Sequence, residues 1–145
     1  MYSKQEAGLI RKKFWETAGQ YFAPMPSADL QKVNWINYKT GVRFITFRLY
    51  ADDQTASVAI EISHPDPLKR KSLYDCFLGL KANLGGEWLW EEEGAAATSR
   101  ISSHIDQVNI YDTTTWPAVI SFFKIALVQM DAFWVEFKEV FEMLD

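Results

Sequence analysis

Val42-Arg43-Phe44-Ile45-Thr46-Phe47-Arg48-Leu49-Tyr50-Ala51 and Ala56-Ser57-Val58-Ala59-Ile60-Glu61-Ile62-Ser63 are β-rich runs on either side of the polar Asp52-Asp53-Gln54-Thr55. Such a pair around four turn-forming residues reads as a β-hairpin. With Asp53 and Gln54 at the turn, facing residues have positions that sum to 107. That register puts Ile45, Phe47 and Leu49 on one face with Val58, Ile60 and Ile62. The other face carries Thr46, Arg48 and Tyr50 with Ser57, Ala59, Glu61 and Ser63. One apolar face needs a covering layer, so helices must flank this hairpin.

Toward the C-terminus, His64-Pro65-Asp66-Pro67 opens a helix, with Asp66 as cap and Pro67 at its first position. Leu73, Phe77, Leu80 and Leu84 form its apolar stripe, and Gly85-Gly86 supplies the stop. Residues 87–93 read as a third strand, Gly94 to Ala97 as its connection, and 99–111 as a fourth strand. In that last run Ile101 and Ile105 change phase to Val108 and Ile110, which predicts a bulge near Asp106. Thr115 then caps a long helix begun by Trp116-Pro117, with Ile120, Phe123, Leu127, Met130, Trp134, Phe137, Phe141 and Leu144 down one side. Phe122, Ile125 and Val128 widen its apolar arc beyond that of a half-buried helix. It is therefore either the spine of the core or a face shared with a partner.

Toward the N-terminus, Ser3 and Glu6 form a capping box for a helix with Ile10, Phe14, Ala18 and Tyr21 in register, ended by Pro24 and Pro26. Residues 33–41 alternate polar and aromatic and read as an irregular lead-in or short strand closing at Gly41. The expectation is an α+β domain spanning 1–145, in the order helix-strand-strand-helix-strand-strand-helix. Its antiparallel sheet has about four strands, with the long apolar C-terminal helix packed on it.

Composition narrows the function classes. A chain of 145 residues can bury one core without a disulfide or metal staple. The net charge of -4 argues against wide electrostatic attraction to nucleic acid or anionic membrane, although a local basic patch is compatible with it. Cys76 is the only cysteine, which excludes an internal disulfide or a multi-cysteine zinc site and fits a reducing compartment. Without an apolar secretory run at the N-terminus or an uncharged apolar stretch long enough to span a bilayer, the expected location is the cytoplasm, with no membrane partner.

Candidate sites are few. Arg48 and Glu61 are diagonal neighbours on the hairpin's second face, among small residues that either leave room for an anionic or hydrogen-bonding ligand or let a helix pack closely. Asn34, Trp35, Asn37, Tyr38 and Lys39 crowd amides, rings and a cation into one segment. That density marks either a binding loop, with rings suited to stacked bases, or a backbone held by its own side chains. His64 reads as a strand-end residue or a base. Lys69-Arg70-Lys71 with Arg11, Lys12 and Lys13 is either a phosphate-binding surface or a solvated face. Neither metal-ligand spacing nor a nucleophile elbow nor a phosphate loop is present, and no cofactor is expected.

The segments Phe14-Trp15 to Tyr21, Lys32-Val33-Asn34-Trp35, Asn37-Tyr38-Lys39-Thr40-Gly41, Ala59-Ile60-Glu61-Ile62-Ser63-His64, Glu87-Trp88, Ser99-Arg100-Ile101, Trp116-Pro117 and Phe133-Trp134 occur in this order. Together they resemble an uncharacterised bacterial and archaeal domain-of-unknown-function family, found alone or C-terminal to nuclease-like segments. The resemblance implies a link to nucleic acid or genome defence by association, and it transfers no catalytic residue. A restriction-type nuclease needs Glu-x-Lys on a strand, whereas here the strand offers Glu61-Ile62-Ser63, and Glu136-Phe137-Lys138 falls on a helix.

Two function classes follow. One is a non-catalytic binding or interaction module, for nucleic acid or a protein partner, with Asn34, Trp35, Asn37, Tyr38, Lys39, Arg48, Glu61 and His64 about its site. The other is a small metal-dependent hydrolase or nuclease-like enzyme using Glu61, His64 and Lys39. A homodimer through the C-terminal helix is compatible with either.

Overall fold

The structure is a computed structural model that describes residues 2–144; Met1 and Asp145, the ends of the expected domain span, lie outside the described residues. The elements run α1 (Lys4–Phe22), β1 (Ile45–Ala51), β2 (Thr55–Ile62), α2 (Pro67–Gly79), β3 (Leu89–Glu91), β4 (Ser99–Asp106) and α3 (Trp116–Leu144). This is the expected α+β order. The four strands form one antiparallel sheet in the spatial order β1-β2-β4-β3.

The hairpin register is the one the turn dictates, with Ile45 opposite Ile62 and Arg48 opposite Ala59. Asp52 holds the turn: its Oδ1 accepts the backbone N–H groups of Gln54 and Thr55, both at 2.8 Å. Those hydrogen bonds, the Thr55 amide first, pull the Asp52 carboxyl below its ordinary pKa. The expected bulge near Asp106 is absent: the β2–β4 register runs unbroken to Asp106, and the phase changes just past β4 at Gln107, whose φ of 61° turns the chain. Beyond it the amides of Val108 and Ile110 donate to the carbonyls of Gln54 and Asp52.

Helices cover only the face bearing Ile45, Phe47, Val58, Ile60, Ile62 and Ile101. There α3 packs on β2 and β4, α2 packs beside it, and α1 packs against α3. Burial of these apolar side chains, each worth about 1.5–3 kcal/mol, drives the layering. Phe77 of α2 stacks on both Phe133 and Trp134 of α3, and Phe14 of α1 meets Phe123 edge-on. By length and composition α3 could cross a bilayer, yet half of that apolar stretch is buried inside the fold.

Several local expectations are corrected. In α1 the row continues Phe14, Ala18, Phe22, so Tyr21 points outward and Phe22 takes the core position. Helix α2 stops at Gly79, ahead of the glycine pair, and a short 3-10 turn at Lys81–Asn83 delivers Leu84 to the core. Strands β3 and β4 are shorter than their β-rich runs because only Leu89–Glu91 finds a partner and the ladder ends at Asp106. Thr115 turns its hydroxyl back to the Asn109 carbonyl instead of capping α3. Residues 33–41 take the first of their two expected forms, the irregular lead-in, and contain no strand. Leu144 is exposed, since α3 there has run past the core.

Candidate functional site

The uncovered face of the sheet brings together four long side chains from three strands. Glu61, in the middle of β2, has little exposure of its own and anchors the group. Its Oε1 forms an ion pair with Arg48, 2.9 Å from Nε, and its Oε2 accepts the Tyr50 hydroxyl at 2.6 Å. From β4, Arg100 lies directly across from Glu61 and brings its Nε to 3.6 Å from Oε2. The Arg100 guanidinium also sits 5.0 Å from the centre of the Tyr50 ring, a cation–π contact. Burial first, and then the hydrogen bond to Glu61, raise the Tyr50 pKa, so the hydroxyl stays a donor.

One carboxylate thus holds two guanidinium groups and a phenol in fixed relation. Among the described residues Arg100 Nε is buried without a hydrogen-bond acceptor. Ala59 and Ser102 form a buried floor beside this group, while Arg48, Tyr50, His104 and Leu89 stand exposed around it. At the edge of β1 a cleft of about 200 Å³ is lined by Trp15, Ile36, Asn37, Phe47, Arg48, Leu49 and Tyr50, so Asn37 and Arg48 share one cleft.

The remaining candidates are dispersed. Asn34 turns its Oδ1 onto the amides of Ile36 and Asn37, holding its own loop. Trp35 is buried and donates its Nε1–H to the Met25 carbonyl. Tyr38 packs its ring on Phe47 and donates its hydroxyl inward to Asp131 at 2.7 Å. Lys39 is exposed. His64 packs against Phe44 and accepts the Asp66 amide at Nδ1, which makes it a strand-exit brace. The basic runs also separate: Arg11 reaches Tyr111, Arg70 is buried against the His64 carbonyl, and Lys71 pairs with Asp75 and Glu92. Both Glu61 oxygens are engaged, and among the described residues no group of three His, Cys, Asp or Glu side chains is placed to hold a metal.

Sequence reasoning missed two residues. Arg100 belongs to the sheet cluster, and only the pairing of β2 with β4 could reveal it. Asp131 is the other, an acid 2% exposed within the apolar α3 that accepts from Ser27 Oγ, the Ala28 amide and Tyr38, each at 2.7 Å. Burial first, and then Asp131, raise the Tyr38 pKa well above its ordinary value. The sign follows from linkage: the native state keeps a proton that the unfolded chain releases, so this contribution is intact below the ordinary tyrosine pKa. It is lost as pH rises above about 10 towards the native value. Urea midpoints measured at about pH 9 and 11 should therefore fall more for the wild type than for Tyr38→Phe; equal slopes would contradict the assignment.

The fold and this cluster define a small α+β domain with helices on one sheet face and a braced polar group on the other. The chain belongs to the family described as a domain of unknown function, DUF4268, whose family model matches residues 10–138. No curated protein and no solved structure matches it.

Proposed function

We propose that this domain is a non-catalytic binding module whose open sheet face takes single-stranded nucleic acid. The observation that carries the reading is the Arg48–Glu61–Arg100 cluster with the exposed Tyr50 ring on an uncovered sheet. An open sheet face with an exposed ring suits an unstacked base better than it suits a duplex groove. Arg48 and Arg100, oriented by a shared carboxylate, present guanidinium groups to phosphate oxygens at little further ordering cost. The association of the resembled family with nuclease-like segments points the same way. Arg48 and Arg100 are offset by Glu61 and Glu91 on this face, so stacking and directed hydrogen bonds supply the affinity, not bulk charge.

That balance makes the proposal quantitative. Two phosphates engaged on a single strand give a log K against log salt slope of about -1.4. Fluorescence anisotropy of labelled single- and double-stranded DNA and RNA should show single strands preferred. Tyr50→Ala should weaken binding by about 1–3 kcal/mol, and Arg48→Ala or Arg100→Ala should halve the salt slope, to about -0.7. Absence of binding at tens of micromolar protein, about where weak non-specific binders register, would refute the reading. Metal-dependent cleavage abolished by Glu61→Gln, with the fold intact, would replace it by the enzymatic alternative using Glu61, His64 and Lys39.

A further inference from the structure

The outer surface of α3 is apolar where a helix on the rim of a domain is ordinarily polar. Ser121, Ile125, Val128, Ala132, Val135 and Glu139 are all exposed and fall on one line along the helix, with Ile125 62% and Val128 47% exposed. Their spacing alternates between four and three residues, the seam along which one helix packs against another. The charges beside the seam are segregated. Lys124 flanks its first half, Glu136 and Glu142 flank its second half where Glu139 stands on the seam itself, and Lys138 is turned aside against Gly41. Among the described residues Lys124, Glu139 and Glu142 take part in no ion pair, and Lys124 lies only over the Tyr21 ring at 5.9 Å.

We infer that this face binds a second copy of the same chain, α3 against α3, antiparallel about a two-fold axis near residue 130. Positions equidistant from that point then meet: Ile125 faces Val135 of the second copy, and Val128 faces Ala132. The small side chains of Ser121 and Ala132 let the helix axes approach to about 8–10 Å. Helical side chains lean toward their own N-terminus. Lys124 therefore leans toward Glu139 and Glu142 of the second copy, and the two-fold repeats that pairing at the other end of the seam. A parallel pairing would set Lys124 against Lys124 and the glutamates against one another, so the charge pattern selects the antiparallel form. A seam of this extent, about 27 Å along the helix, lies toward the small end of dimer interfaces, so association should depend on concentration. It lies on the layer opposite the open sheet face, so a dimer would keep both sheets accessible, and the inference stands whether or not they bind nucleic acid.

Sedimentation velocity on the full chain from about 5 to 500 μM should show the mass rise from one chain toward two. Lys124→Glu alone should weaken association about tenfold or more, and so should the double variant Glu139→Lys, Glu142→Lys. Mixing these two variants should restore association, because each new charge then meets its opposite. All three positions are exposed, and circular dichroism confirms that each variant is folded; Val128→Glu provides a second disruption at the apolar centre. A constant single-chain mass across the range, or Lys124→Glu associating as tightly as the wild type, would overturn the inference.

Discussion

Asp131→Ala is expected to lower the free energy of unfolding by about 3 kcal/mol. The carboxylate is buried and receives Ser27 Oγ, the Ala28 amide and the Tyr38 hydroxyl, so its removal leaves three inward-facing donors together. An unpaired buried polar group costs roughly 1–3 kcal/mol. Rotation of the two hydroxyls toward other acceptors returns part of that cost, whereas the Ala28 amide cannot turn away. Asp131→Asn keeps the volume and one accepting oxygen and should cost about half as much. The triple variant Asp131→Leu, Ser27→Ala, Tyr38→Phe removes the acceptor with two of its donors and should recover part of the loss, as apolar replacement of buried polar groups often does. Urea midpoints at constant m would measure all three. If Asp131→Ala costs less than about 1 kcal/mol, this residue does not anchor the segment before β1 to α3.

The same residue shows how far a sequence carries the fold and where it stops. The hairpin register was legible because strand periodicity and a four-residue turn leave one pairing that buries a whole apolar face. It also placed Arg48 beside Glu61, a local consequence of that pairing. Arg100 was not legible, because the β2–β4 register is set through α2, β3 and three connecting segments and no turn specifies it. Asp131 was hidden by its surroundings: an acid within an apolar helix reads as an outward position until its donors, 93 to 104 residues away, are brought to it. The segment from Asn34 to Lys39 left two readings open in sequence, a binding loop or a backbone held by its own side chains, for a related physical reason. A stretch without helix or ladder must satisfy its own backbone. Asn34 and Trp35 do that here, and Tyr38 serves Asp131 instead. Polar and aromatic density was therefore a signature of how an irregular segment is held, while the braced group stood on the regular sheet beside it.

The other large effect is expected at Trp134, where alanine should cost about 3–5 kcal/mol. Its indole lies against Phe77 of α2 and Phe141 of α3, and meets Phe47 of β1 edge-on. Its Nε1–H donates to the Thr40 carbonyl at 2.9 Å. Thr40 in turn gives its hydroxyl to the Ile45 carbonyl at the start of β1. Truncation would open a cavity where α2, α3 and β1 meet, and would leave the Thr40 carbonyl without that donor. Against a total stability of about 5–15 kcal/mol, the loss takes a large share. With m near 2 kcal/mol/M, the urea midpoint should fall by about 2 M. Trp134→Phe fills most of the volume and should cost appreciably less, which separates packing from the indole hydrogen bond. The change should also reach the opposite face: Phe47 and Arg48 are consecutive on β1, so loosening the inner contact frees the strand that presents Arg48 to Glu61. In folded Trp134→Phe protein, any loss of oligonucleotide affinity would then accompany weakened protection of the β1 amides from hydrogen exchange. Unchanged protection together with a small stability loss would mean that the sheet face is braced by Glu61 alone and owes nothing to the aromatic core behind it.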